Sequence, residues 1–123
     1  MTPADVQDWL DRYLAAWQSY DRDDIGDLFA EDATYRYHPY DDPVVGRAAI
    51  VDSWLEEDRV DQPGSFEARY EPYAVDGDRA VAIGTSTYFE DGEVARIYDN
   101  AFTLRFAEDG RCADFTEWFM QRP

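Results

Sequence analysis

Lysine is absent from this chain. All 11 basic residues are arginine, against 28 acidic ones, so the formal net charge is −17 over 123 residues. A surface this negative repels phosphate backbones and anionic headgroups, which argues against nucleic acid or a membrane as partner. Cysteine is nearly absent too: Cys112 stands alone, which excludes an internal disulfide and a cysteine-built zinc site. His38 is the only histidine, so a histidine-rich metal centre is excluded as well. No apolar run approaches the ~18 residues that a membrane-crossing helix needs. Met1-Thr2-Pro3-Ala4-Asp5 has neither the basic start nor the apolar core of a secretory signal, so the expectation is a cytoplasmic protein. No glycine-rich phosphate cradle and no Gly-x-Ser-x-Gly elbow occurs, and the reading calls for no metal and no cofactor.

What is present is apolar and aromatic. The hydrophobic fraction is 45% and the aromatic fraction 16%, too much for a disordered acidic tail. The length suits one domain spanning 1–123.

Periodicity places the elements. Val6, Trp9, Leu10, Tyr13, Leu14 and Trp17 fall on one helical face, and Thr2-Pro3-Ala4-Asp5 is a helix start, so the spacing predicts a helix from about 3 to 20. A short second helix follows, with Asp21 as cap and Ile25, Leu28 and Phe29 as its apolar stripe. Ala33 to His38, rich in β-branched and aromatic residues, reads as a strand ended by Pro39. His38 to Gly46 is a loop, and Ala48 to Glu57 returns to helical spacing. Four strands complete the chain: 66–75, 79–89, 95–106 and 112–120, joined by turns at Asp76-Gly77, Glu90 to Glu93 and Glu108 to Gly110. The order α-α-β-α-β-β-β-β makes an α+β fold, with an antiparallel sheet that must curl around three helices and leave an interior. Asp21 to Asp24 and Asp41-Asp42 lack the spacing of a calcium loop and read as caps and turns.

Strand alternation sorts the last hairpin into two faces. A turn at 107–110 would pair Phe102 with Phe115, Asn100 with Glu117, and Tyr98 with Phe119. The inward face then carries Asn100 and Glu117 side by side among aromatic residues. Glu117 has three readings: a buried proton-transfer group with a raised pKa, a structural hydrogen-bond acceptor, or, if a bulge slips the register, a surface residue. His38 shares a face with Arg36, away from Tyr35 and Tyr37. It is either an exposed strand-end residue or, if Pro39 bends the chain, a base paired with an acid.

Several stretches resemble one known group. Leu14-Ala15-Ala16-Trp17, Asp21 to Ile25, Leu28 to Ala33, Gly46 to Ile50 and Phe106 to Arg111 are similar to the corresponding parts of the nuclear transport factor 2-like superfamily, nearest its SnoaL-like branch. The resemblance implies a cone: a curved antiparallel sheet wrapped around helices, with an apolar pocket at one end. It also implies that Tyr13 stands where ketosteroid isomerases carry the tyrosine that donates to the oxyanion. The catalytic base of those enzymes falls at Tyr37 and their second acid near Phe102, so two of three groups are missing and steroid isomerisation is not expected. The Asp-Arg-Asp set of the related epoxide hydrolases is not matched either, because Asp99 and Arg105 fall on the outward face.

Two functions follow. One is a small-molecule-binding domain with an aromatic pocket and no chemistry. The other is an acid–base enzyme, an isomerase, cyclase, dehydratase or hydrolase, acting on an apolar cyclic metabolite. The expected lining is Tyr13, Trp17, Tyr35, Tyr37, Trp54, Asn100, Phe102 and Phe115, with Glu117 as the catalytic candidate. Trp118 and Met120, with Ile97 and Tyr88 near them, fall on an outer sheet face that no helix covers. Relatives of this kind commonly dimerise there, so a homodimer through that face is expected.

Overall fold

The computed structural model describes residues 1–123. Its elements are α1 (Pro3–Ser19), α2 (Arg22–Asp27), β1 (Phe29–Arg36), β2 (Val44–Val45), α3 (Arg47–Trp54), β3 (Phe66–Asp76), β4 (Arg79–Glu90), β5 (Glu93–Phe106) and β6 (Cys112–Gln121). The α+β class, the three helices and the four long C-terminal strands are as the sequence predicts.

Helix α1 begins where the capping signal lies. The Thr2 hydroxyl accepts from the Asp5 backbone N–H at 3.1 Å, and the Thr2 N–H donates to the Asp5 carboxylate at 2.9 Å. Val6, Trp9, Leu10, Tyr13 and Ala16 form its buried face. Asp21 caps α2 by accepting from the backbone N–H groups of Asp23 and Asp24.

Three boundaries differ from the expectation. Phe29 opens β1 rather than closing α2, because α2 ends at Asp27 and the chain becomes extended at once; Phe29 is fully buried either way. The loop from His38 to Gly46 contains β2, which pairs antiparallel with β1. Helix α3 stops at Trp54, since the residues beyond Leu55 are polar and have no face to bury.

The six strands form one sheet in the order β2-β1-β6-β5-β4-β3. β1 joins β6 in parallel; the other pairings are antiparallel. The β4–β5 hairpin turns on Asp91 and Gly92, both with positive φ (53° and 78°), the twist a two-residue hairpin turn requires. The β3–β4 turn centres on Gly77 and Asp78, one residue later than Asp76-Gly77, since Asp76 itself pairs with Arg79.

The register of the last hairpin also differs from the expectation. Phe102 lies opposite Glu117, Asn100 opposite Phe119, Leu104 opposite Phe115, and Tyr98 opposite Gln121. The turn is one residue longer than predicted, with Ala107 N–H bonding Arg111 carbonyl, and the register shifts again at a bulge between Arg105 and Phe106. Together these move the pairing by two residues. A shift of two preserves the side-chain alternation, so every residue keeps its face. Asn100 and Glu117 become diagonal neighbours instead of direct partners.

The closed end of the cone is packed solid. Trp9, Phe29, Leu28 and Phe115 are buried, and the Trp9 ring stands edge-on to Phe29 and Phe106. The Trp9 indole N–H is satisfied by the Leu28 carbonyl at 3.0 Å. No helix is long and apolar enough to cross a membrane.

Candidate functional site

The open end of the cone encloses a cavity of about 380 Å³. Each wall comes from one element. α1 contributes Tyr13 and Trp17, β1 contributes Tyr35, and α3 contributes Trp54. β3 contributes Tyr70, β4 Ser86 and Tyr88, β5 Arg96, Tyr98, Asn100 and Phe102, and β6 Glu117, Trp118 and Phe119. The segment after α3 supplies Asp58, Arg59 and Asp61. Every expected lining residue except Phe115 is on that wall. Phe115 sits one layer deeper: it is fully buried and packs face to face against Tyr35 at 4.5 Å and Tyr13 at 5.7 Å, forming the floor.

Glu117 is the only acid that a strand turns into the cavity. The Tyr35 hydroxyl donates to its Oε1 at 2.8 Å. Burial pushes its carboxyl up to about 7, against the opposing pull of that hydrogen bond and of nearby His38 and Arg59. Asn100 is not its partner, contrary to the expected pair, because the register shift carries the amide one step along the strand. Asn100 instead donates to the Ser86 Oγ at 3.0 Å and the Tyr70 hydroxyl at 3.3 Å.

The tyrosines around Glu117 are locked in their protonated form. Burial first and the Glu117 charge second raise Tyr13, Tyr35 and Tyr70 above the ordinary phenol range. They are therefore hydrogen-bond donors and not bases. The Tyr37 hydroxyl shares a 2.8 Å hydrogen bond with Ser53 Oγ, and the Arg59 guanidinium lies 3.9 Å from its ring centroid. Trp54 is buried with its indole N–H unpartnered, its ring edge-on to Tyr13.

The mouth is tied shut on one side by Asp61. Its carboxylate accepts from the Trp17 indole N–H at 3.0 Å and from the Tyr20 hydroxyl at 3.3 Å. Trp17 also stacks on Phe66, centroids 3.9 Å apart. His38 lies outside the wall. It hydrogen-bonds Asp41 at 2.8 Å, stacks on Tyr40, and sits 5.1 Å from the Phe119 ring at the rim. Tyr88 belongs to the cavity wall, not to the outer face where the sequence reading put it, and Trp118, though 47% exposed, also borders the cavity.

Sequence reasoning missed Tyr70, Ser86, Tyr88 and the loop residues, whereas Tyr98 and Phe119 lie on the face that strand alternation turns inward. Alternation along β4 would have found Ser86 and Tyr88, since they share a face with Ala80 and Ala82, which are buried. No sequence signal marks Arg59 or Asp61, because a loop has no period.

A family profile described as a SnoaL-like domain matches residues 10–115. The chain belongs to the SnoaL-like domain family. Solved structures agree with that fold. An NTF-2 like protein of unknown function from Burkholderia xenovorans LB400 superposes with a TM-score of 0.70 at 18% identity, over 98% of this chain and 88% of the other. An NTF2-like protein with a cystatin-like fold from Novosphingobium aromaticivorans superposes with a TM-score of 0.65 at 22% identity, over 93% and 79%. No curated protein matches the chain. The SnoaL-like family fixes the architecture of the cone; the chemistry rests on the side chains that line it.

Proposed function

We propose that this SnoaL-like domain binds a small, flat, largely apolar molecule in the open end of the cone and moves a proton on it with Glu117. One observation carries the reading: Glu117 is the one acid a strand turns in among the aromatic rings, and burial there pushes its carboxyl up to about 7. Near neutral pH such a group is divided between its two forms, so it both accepts and returns a proton. In the step proposed, a C–H bond beside a carbonyl breaks, the proton passes to a Glu117 oxygen, and the bonding electrons move onto the carbonyl oxygen. Where the ligand carries a β,γ carbon–carbon double bond, the electrons return from the carbonyl oxygen through the conjugated system, the proton goes back to the γ carbon, and the double bond ends up conjugated with the carbonyl, which completes an isomerisation.

Binding without chemistry is the second reading, and the Tyr35 hydrogen bond favours it, since that bond occupies one Glu117 oxygen. Cyclic ketones incubated in D2O separate the two. Proton NMR is expected to show exchange beside the carbonyl at least ten-fold faster with wild type than with Glu117→Gln, the rate rising with pH to about 7 and then levelling. Binding with equally slow exchange in both would leave a binding domain only.

We also propose that a second copy covers the outer sheet face. Met120 is 74% exposed and Trp118 47%, costly apolar surface on a sheet with no helix over it. Light scattering is expected to give twice the chain mass at micromolar concentration and the single mass for Trp118→Glu. A monomeric wild type would sink the assembly.

A further inference from the structure

Asn100, Ser86 and Tyr70 form a cluster on the cavity wall, one diagonal step from Glu117. Ser86 and Tyr70 are each more than nine-tenths buried. The Asn100 amide touches both hydroxyls, at 3.0 and 3.3 Å, and the Ser86 and Tyr70 hydroxyls also lie within hydrogen-bond reach of each other, so all three contacts stay inside the cluster. The backbone builds the cluster deliberately. Gly84 lies opposite Tyr70 on β3 and opposite Asn100 on β5. A Cβ there would collide with the Arg69 carbonyl oxygen and the Tyr70 ring, so only glycine lets β3 close in and lay that ring against the wall.

The hydrogens do not balance. The amide brings two, and each hydroxyl brings one, for four in all. Three groups make at most three pairwise contacts among themselves. At least one hydrogen is left over, whichever way the amide is turned. It belongs to a group that lines the cavity, so its partner is a ligand or water.

Building on the binding reading above, we propose that the Asn100–Ser86–Tyr70 cluster is a donor subsite that selects ligands bearing an acceptor oxygen: a ketone, quinone or aldehyde on a flat ring system. A ring hydrocarbon of the same shape fills the aromatic walls but leaves the donor unpaired and desolvated. An unmet buried donor is what turns shape recognition into chemical selection. The diagonal placement also sets which bond Glu117 meets, since an oxygen held at Asn100 leaves the neighbouring carbons toward β6.

The test uses 1-tetralone and its hydrocarbon isostere tetralin as probes, with affinities read from quenching of tryptophan fluorescence. Trp17 and Trp54 line the same cavity and report both. Wild type is expected to bind the ketone at least ten-fold more tightly. The triple variant Tyr70→Phe, Ser86→Ala, Asn100→Leu should bind both within two-fold, tetralin more tightly than wild type does because no donor is left unmet, with its circular dichroism native. Tyr70→Phe/Ser86→Ala and Asn100→Leu, made separately, identify which end of the amide contact donates. If the triple variant disturbs the fold, Tyr70→Phe/Ser86→Ala alone keeps the comparison, because it removes only two oxygens. Tetralin binding without any ketone preference in wild type overturns the subsite and leaves the pocket standing. Failure of both probes to bind overturns the pocket reading itself. A ketone preference that survives every variant assigns the donor elsewhere and overturns the inference.

Discussion

The two ends of the cone are made from the same elements and end in opposite states. One helix, α1, supplies both: Val6, Trp9 and Leu10 at the closed end, Tyr13 and Trp17 at the open end. The sheet does the same. β5 runs from Phe106 and Leu104, buried in the core, through Phe102 to Asn100 and Tyr98 on the cavity wall. Solid packing at the closed end comes from rings that meet edge to face with their polar atoms satisfied, as Trp9 is by the Leu28 carbonyl. At the open end the side chains are as large, but many carry a hydroxyl, amide or carboxyl that needs a partner. Stability is concentrated where the polar atoms are spent, and selectivity where they are not.

The largest break in that comparison is expected at the closed end. Trp9→Ala should cost ~3–5 kcal/mol in chemical denaturation, the usual range for emptying a buried indole site. Trp17→Ala, at the half-exposed rim, should cost less than half as much. Equal costs would mean that the cavity wall carries as much of the fold as the core does.

Glu117→Gln should act in the opposite direction. The unfolded side chain titrates near ~4.3, and the folded one at about 7. Between those values the folded chain holds a proton that the unfolded chain has lost, so this group lowers stability as pH rises, and the cost is complete above about 7. The variant escapes it. Urea denaturation should find the two proteins alike at low pH and the variant more stable by roughly 2–4 kcal/mol in mildly alkaline buffer. A difference that stays flat with pH would place the Glu117 carboxyl in water.

A smaller effect sharpens the contrast within the open end. Tyr37→Phe removes the hydroxyl bonded to Ser53, whose side chain is buried. A loss of ~1 kcal/mol is expected, the worth of one neutral hydrogen bond with its partner left behind. No loss would show that Ser53 finds another partner.

The smallest effect belongs to the whole surface. Seventeen excess negative charges repel each other most at low ionic strength. The melting temperature should rise between ~0.01 M and ~0.15 M sodium chloride as the screening length shortens from ~30 Å to ~8 Å. A flat or falling profile would mean that the exposed ion pairs, such as the bidentate Arg122–Asp99 pair, outweigh the repulsion.

Much of this was legible in the sequence because local rules agree with the fold. The Thr2 cap, the Asp21 cap and the glycine-bearing turns each occur where the chain changes direction. Period-two alternation turned Glu117 inward, and a register error of two residues left that conclusion intact because faces repeat every two. The same error paired Glu117 with Asn100, which only the longer turn and the bulge near Phe106 could correct.

The sequence by itself determined the elements, their apolar faces and the inward acid, since each depends on residues close together along the chain. Tertiary structure alone decided who touches whom: Tyr35 on Glu117 across 82 positions, Asn100 on Tyr70 across 30, and Asp61 on Trp17 across 44. Those contacts depend on strand order, sheet curvature and the path of a loop. They are fixed by how the whole chain closes around its core, and no periodicity in the sequence encodes them.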